Sequence, residues 1–165
     1  MSTVASPPIY LTILRRGETN IIDLAEVGAL IPRSETRVDN SFLQELAEEM
    51  QLLATPGYGR ESSSPSQGIL VGSAPSRVSR DLQRLGSLIF SHLFTEPART
   101  RLRTAAPGEL YLRLDEQLLA VPWELAYDGH DFIATKFRVG RQVITSQPLP
   151  GRESVRGCNF LLMFY

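Results

Sequence analysis

Little in this chain is available for metal, redox or covalent chemistry. Its 165 residues contain one cysteine, Cys158, and two histidines, His92 and His130. A single thiol excludes an intrachain disulfide, and these three residues are too few ligands for a Cys/His zinc cage. Lys136 is the only lysine, against sixteen arginines. No G-x-x-x-x-G-K-[ST] occurs, so a phosphate-cradling loop of that kind is excluded. No apolar run approaches the roughly 20 residues that span a bilayer, and residues 1–8 lack the basic and apolar regions of a signal peptide. A cytoplasmic chain is expected, where a free thiol is compatible with reducing conditions. Net charge is also missing: 17 basic and 18 acidic side chains sum to −1. That excludes a role resting on excess positive charge, such as coating nucleic acid or an anionic membrane.

What is present is ordinary globular usage, 42% hydrophobic and 21% charged, in the size range of one domain. A chain of this length buries roughly 70% of the surface its unfolded form exposes, enough for a core without staples. Charge is mildly split, −4 over residues 1–75 and +3 over residues 76–165. The arginine bias reads as codon usage before it reads as anion recognition. The densest group, Arg99, Arg101 and Arg103 near Arg77, Arg80 and Arg84, reads as a solvated helical face. It lacks the interleaved aromatics of a nucleic-acid surface.

Along the chain, Ile9–Leu14 and Ile21–Leu24 read as a hairpin with a longer loop over Arg15–Asn20. Asp39, Asn40 and Ser41 supply capping residues, and Gln44 stands at capping-box spacing from Ser41. Phe42, Leu43, Leu46, Ala47, Met50 and Leu53 then make an amphipathic helix. Residues 54–76 contain 13 Gly, Ser or Pro in 23, a flexible composition. Val78, Leu82, Leu85, Ile89 and Leu93 mark a second amphipathic helix, and Gly86 within it implies close packing against another element. Pro97 opens a short helix that Pro107-Gly108 closes. Leu110, Leu112 and Leu114 alternate as in a strand with one buried face, Asp128-Gly129 makes a tight turn, and residues 132–139 read as a further strand. Cys158–Tyr165 reads as a fully apolar strand, as at the centre of a parallel α/β sheet.

Candidate chemistry is sparse. Cys158 with His92 or His130 is the only possible nucleophile–base pairing, yet Cys158 sits at the head of a core-type strand, His92 lies among apolar helix residues and His130 stands between acids in a turn. There is no G-x-S-x-G, and Ser62–Ser64 lie in the flexible segment. The carboxylate pairs Asp115/Glu116 and Asp128/Asp131 belong to turns, with nothing apolar nearby to raise a pKa for acid catalysis. Trp123 reads as a core anchor. Glu124, set between Trp123 and Leu125, needs a partner from Arg113, Arg138 or Arg141, and that pair reads as structural. No catalytic, cofactor-binding or metal-ligating residue is assigned.

One stretch is distinctive. Pro122, Trp123, Glu124, Leu125, Tyr127 and Asp128, followed by Phe132, Ala134 and Arg141, resemble the N-terminal signature of CHAT domains, the caspase-like, separase-related modules of bacterial multidomain proteins. Ala126 and Ile133 depart mildly from the family pattern. Upstream, Leu85, Gly86 and Phe90 resemble the Leu-Gly-x-x-Leu-Phe helix that precedes it. The similarity covers about residues 80–147, and residues 158–165 would fit the first strand of the caspase-like core.

The resemblance implies an α/β class: the N-terminal part of a caspase-like α/β sandwich. Strands come first, then two amphipathic helices, then a β-hairpin and a first core strand. The parts are residues 1–54 (hairpin and first helix), 55–76 (flexible), 77–147 (signature region) and 158–165 (core strand). Active members are cysteine peptidases with a His-Cys dyad, the His followed by Gly. His92 is followed by Leu and His130 by Asp, and Cys158 precedes the first core strand, so no catalytic residue carries over. The expected function is the non-catalytic N-terminal portion of a bacterial signalling or defence peptidase, inactive alone. Its partner would be the remainder of the CHAT domain or another protein chain, with no nucleic acid, membrane or cofactor. The alternative is a non-enzymatic adaptor that pairs with a partner through an exposed sheet edge.

Overall fold

The computed structural model describes residues 6–26, 29–55 and 77–145. The predicted flexible segment (from residue 56) and the predicted strand at residues 158–165, with Cys158, lie outside them. The described residues form one mixed sheet with helices over one face, an α/β architecture.

β1 (Ile9–Arg16) and β2 (Thr19–Glu26) pair antiparallel with Arg16 opposite Thr19. The connection is therefore the two residues Gly17-Glu18, shorter than the loop expected. Gly17 stands first in it at φ +60°, which lets a two-residue turn follow the twist of the strands. β3 (Ala29–Leu30) and β4 (Ser34–Arg37) both pair with β2. β5 (Gly108–Asp115) runs parallel to β1 on its other side, and β6 (Phe137–Ile144) runs parallel to β5. The order is β3-β2-β1-β5-β6, with β4 also on β2.

Two expectations are corrected here. β5 and β6 form no β-hairpin: residues 116–136 separate them, a crossover long enough for parallel pairing, and the Asp128-Gly129 turn is spanned only by an isolated antiparallel bridge between Tyr127 and Phe132. The strand expected over 132–139 starts later. Ile133–Lys136 is one helical turn, α4, held by Thr135 and Lys136 N–H groups donating to the Phe132 carbonyl (3.0 and 3.1 Å), and β6 begins at Phe137.

The alternation of apolar residues decides which face is covered. Ile9, Leu11 and Ile13 of β1, Ile22 and Leu24 of β2, and Leu110, Leu112 and Leu114 of β5 share one face and are buried. Over them lie α1 (Asn40–Ala54), α2 (Arg77–Leu93) and α3 (Glu96–Thr104), which contribute Leu46, Leu85, Ile89, Phe90, Leu93, Ala98 and Leu102 to the same core. The cap of α1 is Asp39, one of the capping residues read from the sequence, but the Ser41/Gln44 box does not form; Gln44 instead donates to Glu48 (3.0 Å). On the opposite face Tyr10 and Tyr111 stack with centroids 5.2 Å apart, both about 40% exposed. No helix among the described residues is long and apolar enough to cross a membrane.

Candidate functional site

The residues that stood out in the sequence converge where α2 meets the segment between β5 and β6. Asp115 opens a 3-10 turn at Glu116–Leu118 by accepting the Gln117 N–H (3.0 Å), and a second 3-10 turn covers Trp123–Leu125. Trp123 is fully buried; its Nε1–H donates to the Leu118 carbonyl (3.0 Å), and Phe94 meets its ring edge-on at 5.3 Å. A large apolar ring with its one donor satisfied is a core anchor, as expected.

Glu124 finds its partner in Arg141 of β6, in a two-pronged ion pair. The same guanidinium donates to the carbonyls of Leu119 and Val121 (both 3.0 Å), so it stitches the turn segment onto the edge strand. Burial pushes the Glu124 carboxyl up, but the hydrogen bonds from Arg141, a backbone N–H and the Arg141 charge together hold the group below its ordinary value. Arg138, another candidate partner, pairs with Glu109 instead.

Among the described glycines, Gly86 packs most tightly against another element. A Cβ at this position would stand 2.3 Å from the Leu125 carbonyl oxygen and 2.8 Å from Tyr127 Cβ. The bare backbone lets Tyr127 N–H donate to the Gly86 carbonyl (2.9 Å) across the interface. Downstream, Asp128 Oδ1 accepts from the N–H groups of His130 and Asp131 (both 2.8 Å), and Gly129 takes φ +105° to complete the turn. Burial raises the Asp128 carboxyl, but those two N–H groups and Lys136, whose Nζ lies 3.7 Å away, bring it below its ordinary value. A carboxylate held ionised is the opposite of a general acid at neutral pH. Lys136 Nζ also donates to the carbonyls of Leu102 and Arg103 (2.8 and 2.7 Å), capping the C-terminus of α3.

The arginines divide. Arg99 pairs with Glu96 of its own helix, and Arg84 with Glu49 of α1. Arg101 departs from the solvated face expected: three-quarters covered, it clamps α3 to Glu26 of β2. Arg103 lies over the Phe90 ring at 5.0 Å. His92 is exposed beside Phe42 of α1, and His130 is exposed in the Asp128 turn. Cys158, the nucleophile considered with these histidines, lies outside the described residues. Among the described residues no group of three or more His, Cys, Asp or Glu is placed to hold a metal ion.

One residue the sequence reading passed over is Arg15, treated there as part of a loop. It is the last inward-facing position of β1 and is buried. Its flanking sequence carries no motif; only a count of the strand's alternation to its end would have turned it inward.

No protein-family model matches the chain, and neither a curated protein nor a solved structure does.

Proposed function

We propose that this chain supplies a non-catalytic portion of a CHAT-like, caspase-like cysteine peptidase of a bacterial signalling or defence system. Any His-Cys dyad comes from residues outside those described here. The observation that supports this reading is the interlock of the very residues that resemble the CHAT signature. Gly86 closes on Leu125 and Tyr127, Trp123 anchors the turn between them, and Glu124 is tied to Arg141. A motif held in this way positions a scaffold and leaves its residues no free group for chemistry.

Two measurements test the proposal. A peptide panel incubated with the chain is expected to show no cleavage; turnover abolished by Cys158→Ala would overturn it. The coding sequence is expected to continue in frame to a His-Gly and a later Cys.

A second reading is favoured by β6, which is the edge strand of the sheet among the described residues, with Val143 about half exposed. On that reading the chain is an adaptor that adds a partner strand to β6. A stop codon directly after Tyr165 favours it, and a continuing frame with the dyad removes it.

A further inference from the structure

The C-terminal end of β1 holds a charge without a counter-charge among the described residues. Arg15 is 8% exposed, and its guanidinium donates to Asn20 Oδ1 (2.9 Å), the Val38 carbonyl (2.9 Å) and Asn40 Oδ1 (2.6 Å). All three acceptors are neutral, and none of the ion pairs among the described residues includes Arg15. The nearby carboxylates are engaged elsewhere. Asp115 accepts backbone N–H groups of Arg15 and Gln117, while Glu18 and Asp39 are drawn to Arg37. A buried cation left to neutral dipoles is costly.

A second observation points the same way. Asn20 is fully buried, and its Nδ2 has no hydrogen-bond partner among the described residues. Flipping the amide offers no relief, because it would turn two N–H donors toward the guanidinium of Arg15. Beside them α1 begins at Asn40. Its cap residue Asp39 makes no side-chain capping bond, and its first turn holds no acidic residue. The leading N–H groups of a 15-residue helix therefore add their positive end to the same corner.

β1 and β5 are adjacent and parallel, so the C-terminal end of β1, with Arg15, lies beside that of β5 at this corner. We propose that Arg15, Asn20 and the first turn of α1 form a binding site for a small oxyanion, the carboxylate or phosphate group of a ligand. One oxygen accepts from Asn20 Nδ2 and the negative charge answers Arg15. This inference is independent of the CHAT-like reading.

The test uses the whole chain titrated with sodium phosphate and, separately, sodium acetate, each against sodium chloride of equal ionic strength. At least one oxyanion is expected to raise Tm saturably where chloride does not. A response to phosphate alone assigns a phosphate ester as the ligand, and an equal response to acetate assigns a carboxylate. Asn20→Asp sets a carboxylate against Arg15 from within, so it is expected to raise Tm in chloride and abolish the response. No effect of either oxyanion beyond chloride, or an undiminished response in Asn20→Asp, overturns the proposal. Should that variant not fold, the Nε–H resonance of Arg15 in the wild-type chain decides: a saturable shift supports the site and an unmoved signal overturns it.

Discussion

Gly86 and Trp123 carry the packing of α2 on the segment that follows β5, for opposite reasons: one has no side chain to spare and the other fills its space completely. Gly86→Ala puts a methyl group 2.3 Å from the Leu125 carbonyl oxygen, and backbone on one side cannot rotate away. The expected cost is about 1–3 kcal/mol in urea-unfolding free energy; wild-type stability in that variant would mean that α2 does not approach Leu125 so closely. Trp123→Ala removes a fully buried ring together with its hydrogen bond to Leu118. A loss of about 3–5 kcal/mol is expected by the same measurement. Both residues were legible in the sequence, Gly86 because glycine inside a helical stripe is tolerated for a packing reason, Trp123 because apolar neighbours surround it. The partner of Glu124 was not. Arg113, Arg138 and Arg141 are equivalent in one dimension, and only the register of β6 on β5, with Arg141 opposite Leu112 on the helix-covered face, brings one of them over the turn.

Elements show where local signals were overruled. At the start of α1 the Ser41/Gln44 spacing matches a capping box, yet the helix starts one residue before Ser41 and the box stays open. Ser41→Ala is therefore expected to change thermal stability by less than about 0.5 kcal/mol, where a capping serine would cost about 1 kcal/mol. At α3 the decisive group comes from far along the chain. Lys136 stands in α4 and closes the last carbonyls of α3, so Lys136→Met is expected to destabilise by about 1.5–3 kcal/mol, the range for hydrogen bonds from charged groups. Differential scanning calorimetry of the two variants side by side separates these expectations. Residues 133–136 form a helical turn where a strand is expected, and Lys136 reaches α3 from the end of that turn.

For the whole molecule, the ionised carboxylates favour neutral pH. Hydrogen bonds from Arg33, Arg101 and Arg99 hold Asp23, Glu26 and Glu96 below their ordinary values. In Glu124 and Asp128 burial works upward but is outweighed, in the first by Arg141 together with a backbone N–H and in the second by two backbone N–H groups together with nearby positive charge. A carboxyl with a lowered folded-state pKa contributes stability that is present above its unfolded value and lost as pH falls through the folded one. The chain is expected to lose Tm as pH drops below about 4, the ordinary carboxylate range. Glu124→Gln, which has no proton to bind there, is expected to lose less over the same interval. Equal acid sensitivity of the two proteins would remove Glu124 from that account.

The sequence by itself determined the elements whose signal is a local period. Leu110, Leu112 and Leu114 announce β5, the stripe from Leu85 to Leu93 announces α2, and Asp128-Gly129 announces its turn, because alternation and helical spacing record which face is dry. Only the tertiary structure decided how those elements combine. Parallel pairing of β1 with β5 joins residues about a hundred positions apart, and no window of neighbouring residues holds that choice. The burial of Arg15 follows from the same pairing: it is covered because the sheet and α1 close over the end of β1, a property of the assembled layers that its neighbours in sequence do not encode.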